Sequence, residues 1–261
     1  GKPALREVLE GKADFATVAE TPVMLAIMKG EKISIIATIQ TSSKNSAIIA
    51  RKDKGILTLK DLKDRKIGVT SGTTSDFFLD AMLATHGISR KDVKIIDLKA
   101  EEIPAALENG DVDAASAFTP YINYAQKKLG NRGIMFYDED IYTWTFNVVA
   151  TQEFIRNNPG KVKKLLRALI RAEEFVKQSQ DEAQKIVADF SGMDMALVRN
   201  ICANTTFGVS LDQSLLLALE DESRWAIENG LTQETKVPNY LDFIYLDGLA
   251  SVKPKAVRIM R

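Results

Sequence analysis

LEGKADFATVAETP at Leu9–Pro22 and LENGDVDAASAFTP at Leu107–Pro120 are the two stretches that decide the fold. They have equal length, begin 98 positions apart (107 − 9), and differ in register by one position at the Gly and Asp. Each reads as a helix end, a glycine turn, an aspartate, a strand of small residues and a Thr-Pro pair. A glycine permits the left-handed turn that stops a helix, and small strand residues let backbones pack closely. Thr then supplies an N-cap with Pro at the first helical position. Two βα units that share capping chemistry by coincidence give this pattern, and so do two related lobes that each aim a strand end and a helix start at a common crevice.

The surroundings alternate in the same way. Short apolar strands are expected at Ile33–Ile39, Ser46–Arg51, Lys66–Val69 and Val93–Leu98, with helical spacing at Ser75–Thr85 and Ile103–Asn109. After Thr151 long helices are expected at Pro159–Gln178, Asp181–Phe190, Met195–Asn204 and Asp212–Asn229, followed by a mixed tail. Alternation of this kind predicts an α/β protein with parallel strand units. Ligands of open α/β sheets bind outside the carboxyl ends of the strands, where helix N-termini offer N–H groups to anions. A third element of this type is KIGVTSGTTSDFFLDAML, Lys66–Leu83, in which a strand runs through a hydroxyl-rich loop, Thr70–Ser75, into a helix. Hydroxyls and a glycine there suit an oxyanion held without formal positive charge; ordinary Ser/Thr capping explains the same residues. No Gly-Lys-Ser/Thr follows the glycine, so this is not a nucleotide phosphate loop.

Composition narrows the chemistry. The 261 residues carry 35 Lys+Arg against 35 Asp+Glu, with 45% hydrophobic and 27% charged residues, as in a folded globular protein. Zero net charge argues against recruitment by nucleic acid or anionic membrane. One cysteine, Cys202, excludes an internal disulfide and a cysteine-based metal site. With His86 as the single histidine, a multi-histidine metal site and a Ser-His triad are disfavoured. No apolar stretch reaches the roughly 18–20 residues of a bilayer crossing. The opening GKPALREVLEG reads as an amphipathic helix already under way, which suggests a trimmed chain.

In the order and spacing of LEGKADFATVAETP, ILTLKDLKDRKIGVTSGTTSDFFLDAML (Ile56–Leu83), ALENGDVDAASAFTPYINYA (Ala106–Ala125) and TFNVVATQEFIRNNPGKVKKLLRAL (Thr145–Leu169), the chain resembles the substrate-binding proteins of the nitrate/sulfonate/taurine transporter group, including relatives that bind pyrimidine precursors of thiamine. The resemblance runs from about Leu5 to Leu231. It implies a type II periplasmic-binding fold: two α/β lobes, two hinge crossings and a ligand between the lobes. Lobe one would comprise residues 1–51 and 147–261, and lobe two residues 52–146. The first strand–helix–strand of the group has no counterpart here, and with it one ligand-contacting loop. Carried over position by position, the candidate ligand residues are Glu20, Thr21, Gln40 and Thr41 in lobe one. In lobe two they are Ser71, Thr73, Thr74, Phe118, Thr119 and Tyr121, with Trp144 beside the return hinge. Hydroxyls would hold a polar or anionic head while the aromatics stack on an organic body; core packing explains isolated aromatics equally well.

The implied activity is an extracytoplasmic solute receptor, periplasmic or lipid-anchored through a segment outside this sequence. It would act as a monomer that takes a sulfonate, nitrate-like or pyrimidine ligand and docks on an ABC permease, with no cofactor, no metal, no catalytic group and no nucleic acid partner. Two alternatives stay open. One is a ligand-sensing input domain of a membrane receptor or regulator. The other is a pyrimidine-synthesising enzyme, disfavoured because such relatives carry a cysteine cluster for iron. His86 in ATHG reads as a helix-end residue, Cys202 as a small core residue, Asp138–Asp140 as a solvated loop, and Lys161, Lys163, Lys164, Arg167 and Arg171 as the wet face of a helix.

Overall fold

A computed structural model describes residues 1–260 and divides the chain into two compact units: Gly1–Ser42 with Thr145 onward, and Ser43–Trp144. In chain order the first unit opens with α1 (Lys2–Leu9), β1 (Ala16–Ala19), α2 (Glu20–Met28) and β2 (Ile33–Ser42). The second unit follows as β3 (Ser46–Arg51), β4 (Lys66–Val69), α3 (Thr74–Thr85), β5 (Lys94–Asp97), α4 (Ile103–Asn109), β6 (Ala114–Phe118), α5 (Tyr121–Leu129) and β7 (Gly133–Phe136). The chain returns through β8 (Trp144–Thr151), α6 (Gln152–Asn157), α7 (Pro159–Gln178), α8 (Gln180–Ser191), α9 (Met195–Ala203), β9 (Thr206–Asp212), α10 (Gln213–Glu228), α11 (Leu246–Ala250) and β10 (Val257–Arg258).

Each unit holds a five-stranded sheet, ordered β1-β8-β2-β9-β10 in the first and β5-β4-β6-β3-β7 in the second. Both sheets are mixed, where the alternation of strands and helices predicts parallel units. In the second, β4 runs parallel to β5 and β6, while β3 runs antiparallel to β6 and β7. In the first, β1 is antiparallel to β8 and β2 to β9, and β10 is parallel to β9. The divisions fall at Ser42/Ser43 and Trp144/Thr145, so the expected boundary at 51/52 is displaced. β3 carries two ladders to β6 and β7, which commits it to the second unit, and the chain therefore passes between units before β3.

Strand alternation gives the second sheet two covered faces. Ile48, Ala50, Ile67 and Val69 pack with Phe78, Leu79 and Met82 of α3 on one side. Ala47, Ile49, Ala115 and Ala117 pack with Ile103, Leu107 and Ile122 of α4 and α5 on the other. The four long C-terminal helices lie within a residue or two of their expected places. Missing from the sequence reading are β7, β10 and, more consequentially, β9. The expected helices leave only a connection between Asn204 and Asp212, yet TFGVSLD (Thr206–Asp212) is the interior strand between β2 and β10. Its Gly208 and its half-buried alternation leave too little apolar signal to announce a strand.

The repeated motif forms the same helix–turn–strand–helix path twice, with one correction to its capping. α2 begins at Glu20 with Ala19 as N-cap, so Thr21 lies inside the first turn. α5 takes Pro120 as its N-cap, after a cis Thr119–Pro120 bond. Neither threonine caps as expected. The turn glycines do behave as read: Gly11 and Gly110 have φ of 71° and 85°. A Cβ at Gly11 would meet nothing within 4 Å, whereas one at Gly110 would lie 2.8 Å from Nη1 of the buried Arg51. Gly11→Ala is therefore expected to cost about 1 kcal/mol through backbone strain alone. Gly110→Ala should cost about 2 kcal/mol or more, because the Arg51 hydrogen bond to Leu107 O must also shift. Urea unfolding of the two variants side by side checks the difference.

Candidate functional site

The carboxyl ends of the parallel strands β4 and β6 lie at one edge of the second sheet, and antiparallel β3 starts at that edge. The edge thus collects the loop Thr70–Thr73 after β4, Phe118 and Thr119 at the end of β6, and Ser46 at the start of β3, opposite Phe118 in the register. α3 lies over the sheet face of Ile48 and Ser116, since Ser116 Oγ donates to Ser75 O at 2.7 Å. Its N-terminus therefore sits at this edge.

The loop hydroxyls are arranged unusually for a helix start. Thr73, the N-cap residue, makes no side-chain cap to α3. Its hydroxyl instead donates to Thr70 O at 2.6 Å and lies 2.9 Å from Ser75 Oγ. Thr73, Thr74 and Ser75 are all buried. Two backbone donors of the loop are already engaged by carboxylates. Ser71 N donates to Asp97 Oδ1 and Gly72 N to Asp76 Oδ2, each at 2.9 Å. The fully buried Asp76 is neutralised by Arg90 at 2.9 Å, which also binds Asp80 at 2.6 Å. Burial pulls the Arg90 pKa down, but Asp76 and Asp80 outweigh it and the net shift is upward. Two buried hydroxyl oxygens remain without a partner: Thr70 Oγ1 and Ser46 Oγ.

Among the other predicted residues of this unit, Thr119 is anchored by its amide at 2.9 Å and its hydroxyl at 3.3 Å, both donating to Asn45 O. Phe118 and Tyr121 stack edge to face at 5.5 Å, and Tyr124 extends the series at 6.3 Å. Trp144 is half-buried and packs against the α3-side core with Phe77 and Ile141, which is the packing alternative for that residue.

The first unit gathers its predicted residues differently. Glu20 and Thr21 are fully buried. Glu20 Oε2 accepts from Thr145 N at 2.9 Å and Thr145 Oγ1 at 2.8 Å, while Oε1 has no hydrogen-bond partner. Behind Thr145 the series continues inward: Asn147 Nδ2 donates to Thr145 Oγ1 at 2.8 Å, and Thr38 Oγ1 donates to Asn147 Oδ1 at 2.7 Å. Thr21 Oγ1 donates at 2.9 Å to Oε1 of Glu222, a fully buried residue of α10. Burial raises the Glu20 pKa to about 8, its hydrogen bonds offsetting this only in part. Burial, then the neighbouring Glu20, raises that of Glu222 well above the carboxylate range. Both carboxyls therefore hold a proton more tightly than an exposed carboxylate does. Gln40 and Thr41 stand half-buried on β2, paired with Phe207 and Thr206 of β9.

Sequence reasoning missed Ser46 and Glu222. A signal existed for Glu222, which occupies a core position of α10 in line with Leu215, Leu219 and Ala226. None existed for Ser46, a single serine at a strand start. Of the residues read as bland, His86 behaves so: its Nδ1 lies 2.9 Å from Met82 O at the end of α3. Cys202 is half-buried on α9, a little more open than expected. Among the described residues no group of three or more His, Cys, Asp or Glu is gathered to hold a metal ion, and no helix is long and apolar enough to cross a membrane.

The chain is 32% identical over 206 residues to a Bacillus subtilis (strain 168) protein provisionally named an aliphatic sulfonates-binding protein, covering 78% of this chain and 62% of the relative. It is 24% identical over 178 residues to the taurine-binding periplasmic protein of Escherichia coli (strain K12), covering 67% of this chain and 54% of that protein. The chain thus spans less than two thirds of the length of these relatives. The crystal structure of the periplasmic aliphatic sulphonate binding protein SsuA from Escherichia coli is similar with a TM-score of 0.80 at 18% identity, covering 94% of this chain and 84% of that one. That likeness identifies the α/β fold as the one used by periplasmic binding proteins. The sequence pattern of the NMT1/THI5 like family matches residues 1–183, and the chain belongs to that family.

Proposed function

We propose that this chain is the ligand-binding part of an extracytoplasmic solute-binding protein that captures a small organic sulfonate and passes it to an ABC permease. One observation carries the reading: α3 starts at the carboxyl edge of the parallel strands without a side-chain cap, beside buried hydroxyls that lack partners. An anion at such a terminus gains up to ~2 kcal/mol when partly buried, and each hydrogen bond to its charge ~1.5–3 kcal/mol. Association costs at least ~4 kcal/mol, so a bare oxyanion held this way binds weakly. Micromolar affinity, about 8 kcal/mol, requires an organic body whose burial supplies the rest. The aromatic series Phe118–Tyr121–Tyr124 stands at the same edge to receive one. The names of the relatives, aliphatic sulfonates-binding and taurine-binding periplasmic, support the same ligand class and location.

Those aromatics also favour a second reading in which the ligand is a pyrimidine. Thermal unfolding with taurine, isethionate, longer alkanesulfonates, nitrate and a hydroxymethylpyrimidine separates the two. At a hundredfold excess over Kd the sulfonates should raise Tm by about 5 °C or more, with nitrate far weaker. A response to the pyrimidine alone selects the second reading, and no response to any compound removes both.

A further inference from the structure

We propose that Ser46 is a ligand-binding residue whose hydroxyl donates to the oxyanion at the start of α3. This rests on the reading of that terminus as the oxyanion site and adds to it a donor from a different strand. Ser46 is 3% exposed, yet its Oγ has no hydrogen-bond partner. Buried hydroxyls are nearly always paired, and an orphan calls for an explanation.

Its direction follows from the register. Side chains alternate along β3, so Ser46 shares a face with Ile48 and Ala50, which pack under α3. Ile48 stands opposite Ser116, whose hydroxyl reaches the first turn of α3, and Ser46 stands opposite Phe118, one step nearer the edge. The Ser46 hydroxyl is therefore presented on the α3 side, at the level where that helix begins. Nothing at the helix start answers it. The Thr73 hydroxyl is turned to Thr70 O and Ser75, and α3 has no side-chain cap. Thr70 Oγ1, two strands away across β6, is the second unpartnered hydroxyl on the edge. The end of β6, at Phe118, lies between the two strands. An oxyanion at the start of α3 gives the Ser46 hydroxyl the acceptor it lacks.

The proposal separates binding from folding. Ser46→Ala removes a hydroxyl that makes no bond in the protein itself, so the unfolding midpoint in urea without ligand should stay the same or rise. Titration calorimetry of the same chain with taurine and with an alkanesulfonate should show affinity reduced tenfold or more. Thr85→Ala, at the far end of α3, should bind as the parent does. Affinity within twofold of the parent in Ser46→Ala overturns the proposal, as does a loss of stability that accounts for the weaker binding. A parent chain that binds neither compound overturns the sulfonate reading itself, a result distinct from the other two.

Discussion

Raising the pH from 5 to 9 should destabilise this protein by several kcal/mol, and Glu20→Gln should abolish much of that loss. The carboxyl of Glu20 ionises near pH 4.5 when exposed and near 8 in the folded protein. Because the folded value is the higher one, the folded state binds the proton more tightly. The contribution is fully present below pH 4.5 and is lost as pH rises through 8. A shift of that size corresponds to roughly 4–5 kcal/mol at 1.36 kcal/mol per pH unit. Glutamine mimics the protonated acid: its carbonyl can accept from Thr145 N and Oγ1, and its amide cannot ionise. Glu222 adds to the effect in the same direction, since its pKa is raised by burial and by Glu20 itself. Urea midpoints at pH 5, 7 and 9 for the parent and Glu20→Gln measure the slope. A flat profile in the parent contradicts the upward shift of these carboxyls.

At the acid end the largest single effect is expected from Glu173. This carboxylate of α7 is nearly buried and joins three partners from different segments. Lys253 Nζ donates at 2.6 Å and Val209 N at 2.9 Å to Oε2, while Lys177 Nζ donates at 2.5 Å to Oε1. Burial alone would raise its pKa; the hydrogen bonds from Lys177, Lys253 and Val209 outweigh it and leave a value of about 2. The folded value lies below that of the free carboxylate, so its stabilisation is present above pH 4.5 and is lost as pH falls through 2. Glu173→Gln should cost about 2 kcal/mol at pH 6, less than a fully enclosed pair because Lys177 is largely exposed. The same variant should flatten the acid limb below pH 4.5. With Glu20 limiting stability from above and Glu173 from below, the midpoint in urea should peak in mildly acidic buffer.

Much of the fold was legible where a physical pattern is strong. Four long amphipathic helices, a β-branched strand at Ile33 and left-handed glycines after α1 and α4 all leave periodic or positional marks. β9 left none, because a strand with glycine and half-exposed alternation owes its place to partners far away in sequence. The same limit governs the site. Hydroxyl-rich loops announce themselves, so Thr70–Ser75 was readable as a helix start. Which hydroxyl is spent on a carbonyl and which is left over depends on tertiary placement. Thr21 and Thr119 are both committed internally, to Glu222 and to Asn45 O. Thr70 and Ser46 are left over, and no local pattern distinguishes Ser46.

The displaced boundary before β3 has a consequence for how the chain acquires its structure. All five strands of the second sheet come from the contiguous segment 43–144, and its ladders close without waiting for later sequence. In the first sheet, by contrast, Ala16 must wait for Val149 and Thr38 for Ser210. On a ribosome the inner unit is complete while β1 and β2 still have no partners; β8 then enters between them, and β2 waits for β9 on its other side. The nested order of segments therefore leaves the N-terminal strands, the first to be made, unpaired until a whole second unit has been synthesised.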